Sequence, residues 1–194
     1  MNTKLILLAL AAATTSALTP GCANDPVTQA NAATSSASQI ARDSRAALRS
    51  LYAQNPAARK LGHKAKGVLV FPSIVKGGFV VGAQAGNGAM IRDTGAISGF
   101  YQTTAASYGL QAGIQEFGYA LFLMDDEAFR NINRSGGWEI GSNPSLVIVD
   151  SGMAASLTTT TLDKSTYAFF FNQFGLMGGL GLQGSKITRI HPQQ

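Results

Sequence analysis

Cys22 is the only cysteine in this chain of 194 residues, and there are two histidines, His63 and His191. So few nucleophiles and metal ligands leave little chemistry open. A zinc site needs three or four ligands at a regular spacing, and two histidines set beside basic or terminal segments do not supply it. Asp125-Asp126-Glu127 places three carboxylates side by side, which suits the acidic start of a helix better than paired acid–base work. Gly179-Leu180-Gly181-Leu182-Gln183-Gly184 has the spacing of a dinucleotide-binding loop. That use needs a following helix and an acidic residue about 20 positions on, whereas the ten remaining residues read as a strand. Gly184-Ser185-Lys186 reverses the order of a P-loop, and the serine of Gly95-Ala96-Ile97-Ser98-Gly99 stands one place too late for a nucleophile elbow. With no nucleophile–base pair, the chain is expected to bind rather than to catalyse, with neither cofactor nor metal.

The basic residues point to what it binds. Fifteen Lys and Arg stand against ten Asp and Glu, a net charge of +5. Between Ser38 and Lys66, Arg42, Arg45, Arg49, Arg59, Lys60, Lys64 and Lys66 face a single acid, Asp43. Lys64, Lys66 and Lys76 frame the apolar stretch Lys66–Gln84. Such an excess favours anionic partners: phosphates, lipid head groups or nucleic acid. Nucleic acid is set aside, because the basic residues are not interleaved with the aromatics on which single strands stack. Two readings remain, an anion-binding surface formed by these eight residues, or the solvated face of helices packed on a sheet.

The N-terminus reads as an export signal. Lys4 is its charged start and Leu5–Ala13 its apolar run, too short for the roughly 20 residues that span a bilayer. Cys22 follows in Leu18-Thr19-Pro20-Gly21-Cys22. This segment resembles a bacterial lipobox, with Thr19 where leucine is usual, and implies residues 1–21 as signal and Cys22 as the acylated N-terminus. Ala23 after it implies the outer membrane, facing the periplasm. The alternative is ordinary secretory cleavage near Ala17 or Ala23. Residues 22–37 form a polar tether without apolar period, and 38–194 the domain. Ser38 is read as the cap of a helix to about Gln54, with Ile40, Ala47, Leu48 and Leu51 on one face and the three arginines opposite. Asn55-Pro56 starts a second helix to Leu61.

Beyond Lys66, valine-, isoleucine- and phenylalanine-rich runs alternate with glycine, which accounts for 22 residues of the whole chain. Val68–Phe71 is expected to stop at Pro72 and a second run to follow. Gly86-Asn87-Gly88 is read as a hairpin turn and Asp93-Thr94-Gly95 as another. Ile97–Ser107, Gly113–Met124, Pro144–Asp150, Ser156–Leu162 and Lys186–Ile190 read as strands, with a short helix from Asp125 to the glycines at 136–137. Tyr167–Phe174 is the most aromatic window. Consecutive phenylalanines cannot share one face of a sheet, so either both faces are covered or some rings are exposed. The pattern predicts an α+β fold, N-terminal helices packed on a strongly curved or barrel-like antiparallel β-sheet.

Ala65–Gly88, Ser98–Met124, Ser135–Leu162 and Tyr167–Ile190 together resemble the SYLF family. Eukaryotic members bind phosphoinositides, partly through an N-terminal amphipathic helix and a basic surface. Some yeast members bundle actin, and bacterial members are mostly exported proteins or lipoproteins. The resemblance implies a membrane-anchored lipoprotein whose domain binds anionic phospholipids. Actin is not carried over to a periplasmic protein. The alternative is a structural or stress-related envelope protein that acts on a protein partner.

Overall fold

The computed structural model describes residues 35–78, 81–108, 113–133, 137–140, 146–149, 164–175 and 185–193. The expected signal, Cys22, most of the expected tether, Ser156–Leu162 and Gly179–Gly184 lie outside the described residues.

Helix α1 runs from Ala37 to Gln54. Its cap is Ser36, whose hydroxyl accepts from the Gln39 amide at 3.2 Å, two residues before the expected Ser38. Ala37 N donates to Gln193 O at 2.8 Å, so the helix start is tied to the end of the chain. Ile40, Ala47, Leu48 and Leu51 are buried as their period requires, joined by Ala41 and Ser44. Ser44 sits at the seam with the sheet because its hydroxyl donates to the Val70 carbonyl at 3.2 Å. Helix α2, Pro56–Gly62, has Asn55 as its cap and proline at its start, where no amide hydrogen is needed.

Eight strands among the described residues form one sheet: β1 Gly67–Gly78, β2 Val81–Arg92, β3 Ile97–Tyr108, β4 Gly113–Leu123, β5 Trp138–Ile140, β6 Leu146–Val149, β7 Thr166–Gly175 and β8 Ser185–Ile190. Their order is β5-β8-β3-β2-β1-β4-β7-β6, and the sheet curls into a half-barrel. The basic-edged stretch is thus central, with β1 between β2 and β4. Neighbours run antiparallel except β6, which is parallel to β7, so the sheet is mixed. Helix α3, Asp126–Asn131, follows β4, is capped by the Asp125 carboxylate at 2.7 Å from Ala128 N, and ends before the expected glycines.

The curl gives the sheet two unlike faces. Leu69, Phe71, Ile74, Met90, Tyr101, Phe117, Tyr119, Trp138 and Ile187 form the inner core with Ala128 and Ile132. Tyr119 on β4 donates to Thr103 Oγ1 on β3 at 3.0 Å, across two intervening strands, as only the concave side allows. Val68, Val70, Ile91, Phe122, Tyr167 and Phe169 form the outer core, covered by Ala47, Leu48 and Leu51 of α1 and Ala58 and Leu61 of α2. From Tyr167 to Phe171 the aromatic window therefore packs on both faces. Phe169 faces outward, with its ring edge-on to Phe122 at 5.2 Å between centroids. Phe170 packs inward, 6.0 Å from Tyr119.

Two expectations from glycine and proline fail for one reason. Pro72 does not end a strand, because β1 passes through it to Gly78. Five steps along β1 from Val70 to Val75 match four along β2 from Ala89 to Ala85, so one extra residue bulges there. A bulge tolerates a residue with no amide hydrogen to donate. Gly86-Asn87-Gly88 lies opposite this bulge, within continuous β2, and is not a hairpin turn. A Cβ on Gly88 would sit 2.3 Å from the Val70 carbonyl oxygen, and one on Gly86 2.6 Å from that of Ser73. These glycines permit close approach. The turn is at Asp93-Thr94-Gly95, where Gly95 has φ +80 and its amide donates to Arg92 O at 2.8 Å. Pro144–Asp150, expected as a buried strand, contributes β6 at the sheet edge, where Ile148 is 46% exposed and only Val149 is buried.

Candidate anion-binding surface

The arginine stripe exists because α1 buries the opposite side. At about 100° per residue, Arg42, Arg45 and Arg49 fall within roughly 60° of one another, well away from the buried Ile40, Ser44, Ala47 and Leu51. Arg42 and Arg49 are exposed, while Arg45, nearest the seam, is half-buried and reaches the Gly95 carbonyl at 3.5 Å. Asp43, the one acid in this stretch, is occupied by an amide: Gln39 Nε2 donates to its two oxygens at 2.8 and 2.7 Å. Arg42 in turn donates to Gln39 Oε1. The glutamine thus stands between the acid and the nearest arginine, and sequence inspection passed over it.

The second group of cations is held by backbone. Arg59 and Lys60 occupy the last turn of α2, where a positive charge complements the helix dipole, and both are exposed. The chain then leaves the helix with Lys64 N donating to Leu61 O at 3.0 Å and Lys66 N to Leu123 O at 2.8 Å. Those bonds fix a short exposed link carrying His63, Lys64 and Lys66 between α2 and β1. Seven of the eight residues singled out in the sequence therefore lie on α1, α2 and this link, outside the sheet.

Lys76 does not join them. It is 8% exposed, within β1, directly opposite Gln84 on β2 and Gln115 on β4. Nothing in the linear sequence separates it from Lys64 and Lys66; its inward direction follows from the bulge that shifts β1 by one residue. Gln84 and Gln115, likewise buried, were not singled out either. Two further arginines serve the fold: Arg92 lies 4.7 Å over the Phe129 ring, and Arg189 donates to Ser98 O at 3.3 Å.

Among the described residues no group of three His, Cys, Asp or Glu side chains could hold a metal ion, and no helix is long and apolar enough to cross a membrane. Tyr101 and Tyr119, the polar aromatics of the inner core, are both raised above the ordinary phenol range by burial. Hydrogen bonds to Asn133 and Thr103, and for Tyr101 the charge of Arg189, only partly oppose this. Neither is set up to give up a proton near neutrality.

Residues 104–191 match the family model Ysc84, described as Las17-binding protein actin regulator. The match starts within β3 and ends just after β8, so it takes in β4, α3 and the aromatic β7 but not the two basic helices. No curated protein matches the chain.

Proposed function

We propose, from the match of residues 104–191 to the Ysc84 (SYLF) family, known for lipid binding and actin regulation, a lipoprotein that binds anionic phospholipid head groups through the basic outer surface of α1, α2 and the link to β1. The observation that carries the reading is the arrangement of charge. Arg42, Arg49, Arg59, Lys60, Lys64 and Lys66 are exposed, and Asp43, the one acid within residues 38–66, is engaged by Gln39. Each such cation near an anionic leaflet contributes on the order of 1 kcal/mol. Acylation at Cys22 would hold the domain at the periplasmic side of the outer membrane, and the tether would let the helices reach the head groups.

The test uses the full chain with Cys22→Ser, which removes any acyl anchor. It should co-sediment with vesicles containing phosphatidylglycerol and not with neutral phosphatidylcholine. Binding should fade as salt shortens the Debye length from about 10 Å at 0.1 M to about 3 Å at 1 M. Equal binding to neutral vesicles, or binding indifferent to salt, would contradict the reading.

A further inference from the structure

A second polar constellation lies inside the half-barrel, away from the basic surface. Residues directly opposite in a sheet point to the same side. Lys76 faces Gln84 and Gln115; Gln84 faces Ala105 on β3, and Gln115 faces Gly175 on β7. All belong to the inner face, two places along their strands from Ile74 and Phe117 of the inner core. Gln84 Nε2 extends over β3 to donate to Ser185 Oγ on β8 at 2.8 Å. Lys76, Gln84 and Gln115 are 8%, 5% and 6% exposed, and Ser185 is fully buried. An ammonium, two carboxamides and a hydroxyl thus form one row across the concave side.

The layers on either side of this row are unlike. Below it Ile74 and Phe117 make an apolar floor. Above it the next inward positions on the same three strands are Gly78 and its two register partners, Gly82 and Gly113. None of the three carries a side chain, so β1, β2 and β4 place nothing over the row. Lys76, Gln84 and Ser185 each have a partner within the protein, but one polar atom of the row does not. Gln115 Oε1 is buried with no hydrogen-bond partner, and an apolar side chain would avoid that cost.

We propose that this row is a socket for a phosphate ester that also carries a hydroxyl, the chemistry of a glycerophosphate head group. The Lys76 ammonium and the carboxamide N–H groups donate to phosphate oxygens, as charge-assisted bonds favour. Gln115 Oε1 accepts from the alcohol hydroxyl on the ester's carbon arm, a group that inorganic phosphate does not carry at that distance from the phosphorus. The choice of a phosphate ester rests on the phospholipid reading, but the recognition is placed inside the sheet rather than on the helices. The ester reaches the socket either as a lipid head group or as a free small molecule.

The full chain with Cys22→Ser is titrated with glycerol 3-phosphate, followed by calorimetry and by thermal melting. Saturable binding that raises the melting temperature is expected, with inorganic phosphate and glycerol each at least about tenfold weaker. Lys76→Met and Gln115→Leu should each weaken the ester by about tenfold or more, as loss of a hydrogen bond to a buried charged or polar ligand does. Gln115→Leu should also melt higher than wild type without ligand, because it deletes the orphan acceptor. A purely structural glutamine would lower it. On vesicles adjusted in composition to the same surface charge, wild type should prefer phosphatidylglycerol to phosphatidic acid, and Lys76→Met should lose that preference. Ester binding without any such preference assigns the socket to the free ester. Arg42, Arg45, Arg49→Ala should leave the ester titration unchanged. No saturable binding of glycerol 3-phosphate, or binding unchanged in both socket variants, overturns the socket and leaves the helix surface standing.

Discussion

Gly88→Ala adds one methyl group and is expected to cost far more than a glycine in a turn would. The new Cβ would lie 2.3 Å from the Val70 carbonyl oxygen and 2.7 Å from Phe71 Cδ1, where real Cβ contacts essentially never fall below 3.0 Å. Neither neighbour can yield cheaply. The carbonyl belongs to the backbone of β1 at its bulge, and Phe71 is fully buried, with its ring 4.9 Å from Tyr119. Overpacking of this kind costs about 1–3 kcal/mol, and a backbone clash belongs at the top of that range. For a chain of this length each 1 kcal/mol moves Tm by about 2–4 °C, so a fall of about 6–12 °C is expected. Gly95→Ala is the control: nothing lies within 4 Å of its Cβ, and only its φ of +80 opposes the change. It should cost about 1 kcal/mol. Urea and thermal denaturation of both variants give the comparison. If Gly88→Ala is no worse than Gly95→Ala, the close-approach argument for Gly86-Asn87-Gly88 fails and the hairpin expectation returns.

Phe169→Ala should cost about 3–5 kcal/mol, because its ring is 1% exposed and stacked edge-on against Phe122 beneath the helices. An unchanged Tm together with lost vesicle binding would instead make β7 a membrane wedge. Burial pushes Tyr52 up to about 12 and Tyr119 higher still. A raised folded-state pKa contributes stability that is present below the unfolded value of about 10 and lost as pH climbs through the folded one. Melting should therefore hold to about pH 10 and fall towards pH 12, with phenolate absorbance appearing in step with unfolding; early, complete tyrosine ionisation in the folded protein would contradict this. Cys22→Ala should move the chain from the detergent phase to the aqueous phase on phase partitioning, and equal recovery of both proteins in the aqueous phase would remove the lipoprotein proposal.

What could be read from the sequence was whatever depends on residues close together in the chain. The 3.6-residue period of Ile40, Ala47, Leu48 and Leu51 predicts α1 and therefore the outward stripe of Arg42, Arg45 and Arg49. Asn55-Pro56 predicts the start of α2, and Asp93-Thr94-Gly95 a turn, because each signal is local. The failures are properties of strand register. Glycine serves both turns and close approach, and only the pairing of β2 with a bulged β1 decides between them at Gly86 and Gly88. Proline reads as a stop unless a bulge receives it. Lys76 looks like Lys64 and Lys66 until β1, β2 and β4 align it with Gln84 and Gln115, residues 8 and 39 positions away along the chain.

Vesicle affinity of the Arg42, Arg45, Arg49→Ala variant tests the central claim most directly. Wild type and variant, both carrying Cys22→Ser, are compared on phosphatidylglycerol vesicles at 0.1 M salt, with matched melting curves showing that the variant is folded. The two exposed arginines at on the order of 1 kcal/mol each, with half-buried Arg45 adding less, predict an affinity roughly thirtyfold or more lower for the variant. An unchanged affinity in the folded variant would contradict the claim that α1 meets the membrane.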